Sequence, residues 1–145
     1  MSNIARGGFR EDLGIYVRSK MEANVIRYYN YVKIKFIYEP WEFEFSKIKR
    51  GSRFYKPDGY LPEQDKFIEI KGWFRPGDCT RLRRFKKYYP RSFAKLEFVI
   101  PDKYSKSKAN GGMIKFLCDD LGIDFEKIMS YKEIEEYSKL IPGWE

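Results

Sequence analysis

Glu69 and Lys71 lie two residues apart in the apolar run Phe67-Ile68-Glu69-Ile70-Lys71, and Pro57-Asp58 stands a short way before them. Side chains alternate along a strand, so Ile68 and Ile70 share one face while Phe67, Glu69 and Lys71 share the other. With the isoleucines in the core, the carboxylate and the ammonium point into a common cleft. If the segment carrying Asp58 pairs beside this strand, Asp58 enters the same cleft. Two carboxylates with the backbone carbonyl of Ile70 between them make an oxygen-rich set suited to a hard divalent ion, Mg2+ or Mn2+. Lys71 can orient or deprotonate a water, or offset charge building on a phosphate. Gly72 leaves room for a sugar–phosphate backbone to approach. Taken alone, a Glu-x-Lys pair reads as an exposed ion pair on an edge strand. The preceding Pro-Asp, the apolar flanks and the basic chain turn the reading toward phosphodiester hydrolysis.

The chain contains no histidine, which removes imidazole as base, nucleophile or ligand. Histidine-based nucleases, phospholipase-D-like phosphodiesterases and most zinc hydrolases are thereby excluded, leaving carboxylates, lysine and a hard metal ion. Lys and Arg number 29 against 21 Asp and Glu, a net charge of +8. A field of that sign attracts polyanions, nucleic acid first among them. The basic residues fall in three clusters: Lys47, Lys49, Arg50 and Arg53; then Arg81, Arg83, Arg84, Lys86 and Lys87; then Lys103, Lys106 and Lys108. Contacts of this kind position a duplex without reading its sequence, and no segment resembles a recognition helix or a zinc module. Trp73 and Phe74 read as rim or core packing, with stacking on an unpaired base as the other use. Cys79 and Cys118 are far apart with no C-x-x-C spacing, so neither a zinc ribbon nor a disulfide framework is indicated. No apolar run reaches the roughly 20 residues of a membrane span, and the N-terminal MSNIARGGFRED has no apolar h-region. A soluble, cytoplasmic protein is expected.

The surrounding pattern says what must position these groups. Leu13, Tyr16, Val17, Met21, Val25 and Tyr28 recur at the spacing of one helix face, predicting a helix over residues 11–30, with Glu11 and Asp12 as favourable first-turn charges. Val32, Ile34, Phe36 and Tyr38 alternate as one strand, and Trp41, Phe43 and Phe45 as a second. The basic loop Ser46 to Arg53 leads to a short strand within residues 54–61, then to the strand 67–71. Asp78 is expected to cap a helix with Cys79, Leu82, Phe85 and Tyr89 inward, stopped by Pro90. Residues 96–100 read as a strand, 103–110 as a polar loop, and 112–121 as a helix ending at Gly122. Ser130 with Glu133 reads as a capping box opening a last helix through Tyr137 and Leu140. Gly14-Ile15-Tyr16 spells half of the GIY-YIG nuclease signature, but falls in the predicted helix with no tyrosine-glycine partner strand. No repeat or linker divides residues 1–145, so one α/β domain is expected.

Pro57-Asp58 with Glu69-Ile70-Lys71 resembles the motif of the PD-(D/E)XK nuclease superfamily. The flanking sequence is similar to the endonuclease I family of phage Holliday junction resolvases, through KFIYEPW (Lys35–Trp41), YKPDGYLP (Tyr55–Pro62) and IEIKG (Ile68–Gly72). The likeness runs from about Glu11 to Asp124. It implies a restriction-endonuclease-like mixed β-sheet flanked by helices, and a metal-dependent endonuclease acting on branched DNA in a phage-infected or prokaryotic cell. It also implies that Glu22, from the first helix, joins Asp58, Glu69 and the Ile70 carbonyl on the metal side. Helical spacing supports Glu22, because it lines up with Ile15, Ser19, Ile26 and Tyr29 on a partly apolar stripe, where a carboxylate needs a cation. Members of that family act as intertwined homodimers, so a homodimer is a further implication. The rival readings are a nicking or restriction-type enzyme on ordinary duplex DNA, and a non-catalytic nucleic-acid-binding protein.

Overall fold

Two apolar strands, β7 (Lys66–Ile70) and β8 (Leu96–Ile100), run through the middle of the molecule and are buried on both faces. The computed structural model describes residues 6–145; residues 1–5, part of the segment read as lacking a leader, lie outside the described residues. Before these strands come β1 (Arg6–Arg10), β2 (Ile15–Ser19), α1 (Lys20–Tyr31), β3 (Ile37–Tyr38), β4 (Phe43–Glu44), β5 (Phe54–Tyr55) and β6 (Gly59–Leu61). Between β7 and β8 lie α2 (Asp78–Tyr88) and α3 (Pro90–Phe93); after β8 come α4 (Lys108–Lys115), β9 (Ile128–Ser130) and α5 (Tyr131–Glu135). The main sheet has five strands in the order β3-β6-β7-β8-β9. It is antiparallel from β3 to β7 and parallel from β7 to β9. Parallel neighbours need a crossover, which α2 and α3 supply between β7 and β8.

Both faces are covered, which is why β7 and β8 read as near-continuous apolar runs. Phe67, Phe98 and Ile100 pack with Leu82, Phe85 and Leu117 on one side of the sheet. Ile68, Ile70 and Val99 pack with Val25 and Tyr29 of α1 and Ile134 of α5 on the other. The expected alternation within 67–71 is therefore observed, and the α/β mixed sheet with it. Gly59 is required by a close approach: a Cβ there would sit 2.0 Å from the ring of Phe36. Among the described residues no helix is long and apolar enough to cross a membrane.

Several elements differ from the sequence reading. The helix expected over 11–30 begins only at Lys20; residues 6–19 form the antiparallel hairpin β1–β2. Gly14, at φ +68°, turns the hairpin, and Ser19 starts the helix by accepting the Glu22 backbone N–H at 3.1 Å. Glu11 and Asp12 are hairpin-turn residues, not first-turn helix charges. Ile15 and Tyr16 are thus on a strand after all, yet β1 (Arg-Gly-Gly-Phe-Arg) lacks the tyrosine-glycine pair of the GIY-YIG signature. The strand predicted over 32–38 shrinks to two residues, because Lys33 takes φ 61° just past the helix end. Residues 54–61 split into β5, which pairs with β4, and β6, which joins the main sheet. Asp78 is the first residue of α2 and Gly77 is its cap. The fourth helix starts earlier than expected and ends in a π-helical turn, Phe116–Asp120, before Gly122. Ser130 makes no cap bond; its hydroxyl accepts the Lys103 backbone N–H at 2.8 Å instead, and α5 stops at Glu135.

Candidate active site

The β6–β7 register pairs Gly59 with Ile68, so Asp58 falls just beyond the ladder, opposite Glu69. There Asp58 Oδ2 accepts the backbone N–H of Ile70 at 2.6 Å. Glu69 points to the α2 side, where the Tyr55 hydroxyl donates to Glu69 Oε1 at 2.6 Å. Lys71 Nζ lies 3.2 Å from Glu69 Oε2 and 3.2 Å from Asp78 Oδ2. Asp78 is held in turn by the Arg75 backbone N–H at 2.7 Å and by Arg81 Nη2 at 2.9 Å. From the first turn of α1, Glu22 Oε1 accepts the Arg18 backbone N–H at 3.1 Å and the Tyr38 hydroxyl at 2.7 Å. Arg18 pairs with Glu39 and reaches to 3.6 Å from Asp58 Oδ1. Glu22, Asp58, Glu69, Ile70, Lys71 and Gly72 all line one cleft of about 480 Å³.

The carboxylates are out of water: Glu22 is 7%, Asp58 4% and Glu69 3% exposed. Burial pushes the Asp58 carboxyl well above its usual range, and repulsion from Glu69 and Glu22 adds to it. Burial also raises Glu69, although Lys71 and the Tyr55 hydroxyl pull the other way. Burial works against the Lys71 ammonium, but Glu69, Asp78 and Asp58 outweigh it and raise its pKa. Lys71 is therefore an ammonium at neutral pH. It suits charge stabilisation and water orientation, and of the three roles read from the sequence the general base is the poorer fit. Asp78 stays below its usual range, since the Arg75 N–H, Arg81 and Lys71 together overcome its burial.

The donor chemistry fits a hard divalent ion. Asp58 and Glu69 are buried carboxylates close enough to repel each other, and a cation between them would relieve that repulsion. Among the described residues, no three acidic or cysteine side chains already converge as a ready-made cage.

Of the basic residues read from the sequence, Arg81 lines the cleft, while Lys47, Lys49, Arg50, Arg53, Lys106 and Lys108 are exposed away from its lining. Along α2, Arg84 donates to the Ser52 carbonyl at 2.6 Å and Lys86 to the Leu121 carbonyl at 2.6 Å. Arg83 lies 5.0 Å from the Phe116 ring centroid and Lys87 lies 5.3 Å from that of Tyr88. These side chains tie α2 to its surroundings as well as facing solvent. Arg18, Lys56 and Arg75 line the cleft and were not singled out from the sequence. Asp78 and Tyr55 were missed as well: Asp78 reads from the sequence only as a helix cap and Tyr55 only as the start of the YKPDGYLP stretch, while their contacts with Lys71 and Glu69 are tertiary. Compared with known protein families, curated proteins and solved structures, the chain matches none.

Proposed function

We propose that this protein is a metal-dependent endonuclease that hydrolyses phosphodiester bonds in DNA, selecting branched or distorted substrates by shape. The observation that carries the reading is the meeting of Glu22, Asp58, Glu69 and Lys71 in one cleft, on a chain of net charge +8. The mixed sheet supports it: β6 and β7 hold Asp58 and Glu69 side by side. Asp58, Glu69 and the Ile70 carbonyl would hold Mg2+ or Mn2+, with Glu22 beside them. A bound ion supplies Lewis-acid polarisation of the phosphate and a more acidic water. Lys71, fixed between Glu69 and Asp78, presents its ammonium to the charge that builds on the phosphate. Arg18, Lys56, Arg75 and Arg81 edge the cleft and receive the flanking phosphates, which fixes the strand without reading bases. A homodimer, bringing two such clefts to one junction, belongs to the same proposal.

The test is a panel of end-labelled linear, nicked, flap and four-way-junction DNAs incubated with Mg2+. Cutting of the junction in preference to linear duplex, abolished by excess EDTA, is the expected result. Robust cutting in EDTA contradicts the carboxylate–metal chemistry. Equal nicking of linear duplex contradicts shape selection and leaves a duplex-nicking enzyme.

A further inference from the structure

A second cavity, of about 470 Å³, shares the Gly72-Trp73 segment with the first. Its walls are largely apolar: Trp73, Phe74, Pro101 and Met113. The Trp73 side chain is 61% exposed, with the Arg75 guanidinium 5.9 Å from its ring centroid. Phe74 is braced from behind by Phe116, at 5.4 Å between ring centroids and nearly perpendicular. Asp102 contributes the charge on this lining among the described residues. Its Oδ1 accepts the Tyr104 backbone N–H at 3.0 Å, and its Oδ2 lies 3.9 Å from Lys132 Nζ.

This chemistry disfavours a phosphate and suits a flat, neutral group. A carboxylate repels a phosphate but accepts hydrogen bonds from an exocyclic amine, as acidic side chains do from cytosine N4. An exposed indole offers a face on which any base can stack. We propose that the second cavity receives an unstacked nucleobase adjacent to the phosphate held in the first, an inference that rests on the DNA-cleaving reading above. A nucleotide straddling Gly72-Trp73 places its phosphate among the arginines and its base against Trp73. Substrate choice then has a physical source. Unstacking costs a few kcal/mol in regular duplex and least where stacking is already interrupted, so a branch point fills the second cavity more readily than a linear helix.

The experiment measures binding of the full chain in EDTA to four-way junctions, each carrying one abasic site, walked across the nucleotides flanking the branch point. At one position the abasic site should weaken wild-type binding by on the order of tenfold, the scale of one base–aromatic stack. Trp73→Ala should weaken binding to the intact junction equally and lose nothing more at that abasic position, while Trp73→Phe keeps most of the affinity. Wild-type affinity in Trp73→Ala, or losses that add at every abasic position, would overturn the inference. Cleavage in Mg2+ is read separately. Coupling without cutting contradicts the nuclease reading alone, cutting without coupling contradicts the base cavity alone, and absence of any DNA binding overturns both.

Discussion

Lys71 is held from two sides, by Glu69 and by Asp78, each at 3.2 Å. The first partner was legible in the sequence, because strand alternation alone puts Glu69 and Lys71 on one face. The second was not. Asp78 fits a helix-cap pattern, yet it is the first residue of α2 and its carboxylate reaches Lys71, just past the end of β7. Asp78 touches neither Asp58 nor Glu69 among the contacts described; it holds Lys71 at 3.2 Å and Arg81 at 2.9 Å. Asp78→Asn should accordingly slow cleavage by about 10–100-fold, the usual cost of losing a supporting hydrogen bond around such a site. Much of its effect should disappear in a Lys71→Ala background, because the two residues are coupled, leaving the part that runs through Arg81. Cleavage rates of the two single variants and the double variant, with junction affinity as a control, check this. A double variant slower by the product of the single losses would show that Asp78 acts independently of Lys71.

Residues 11–19 show why the elements were only partly legible. Leu13, Ile15 and Val17 alternate at a period of two while Leu13, Tyr16 and Val17 fit the helical spacing, and the continuous helical stretch after Lys20 hides the change. Gly14 and Ser19 were the local signals of a turn and a helix start. The five-residue strands β7 and β8 were plain because aromatic and β-branched residues dominate them and Gly72 and Pro101 punctuate their ends. The two- and three-residue strands β3, β4, β5, β6 and β9 are defined by pairing with their neighbours. What locks the hairpin to α1 is Arg27, 5% exposed. Its guanidinium donates to Asp12 at 2.7 and 3.0 Å, to Glu145 at 2.9 Å and to Asn24 at 3.1 Å. Arg27→Met should destabilise the protein by about 3 kcal/mol, because it strands partners arranged around a buried charge. The hydrogen bond to Arg27 holds Asp12 below its ordinary value, and Arg10 and Arg27 outweigh burial to hold Glu145 below its own. Lowered carboxyls stabilise above their unfolded pKa values, roughly pH 4, and lose that contribution as pH falls through the folded values. The stability gap between wild type and Arg27→Met, measured by urea unfolding, should therefore narrow from pH 7 toward pH 3. A constant gap would mean that Arg27 contributes through packing alone.

For the whole molecule, charge and chemistry sit on different scales. The net charge of +8 is spread over several clusters, whereas the cleft itself gathers four buried or half-buried carboxylates, Glu22, Asp58, Glu69 and Asp78, around Lys71 and the arginines. On the proposed reading, a basic exterior would draw DNA in, and a divalent ion would offset the acidic floor where the reacting phosphate lies. Binding and cutting should thus separate cleanly in a variant that alters the floor and leaves the exterior alone. Glu69→Gln does this: it keeps the size of the side chain and removes one charge. The most direct test incubates wild type and Glu69→Gln with an end-labelled four-way junction in Mg2+, with affinity measured in parallel. Wild type should cut the junction, and Glu69→Gln should bind it with comparable affinity and leave it intact. Cutting by Glu69→Gln at the wild-type rate, or no cutting by wild type at saturating enzyme, would contradict the account.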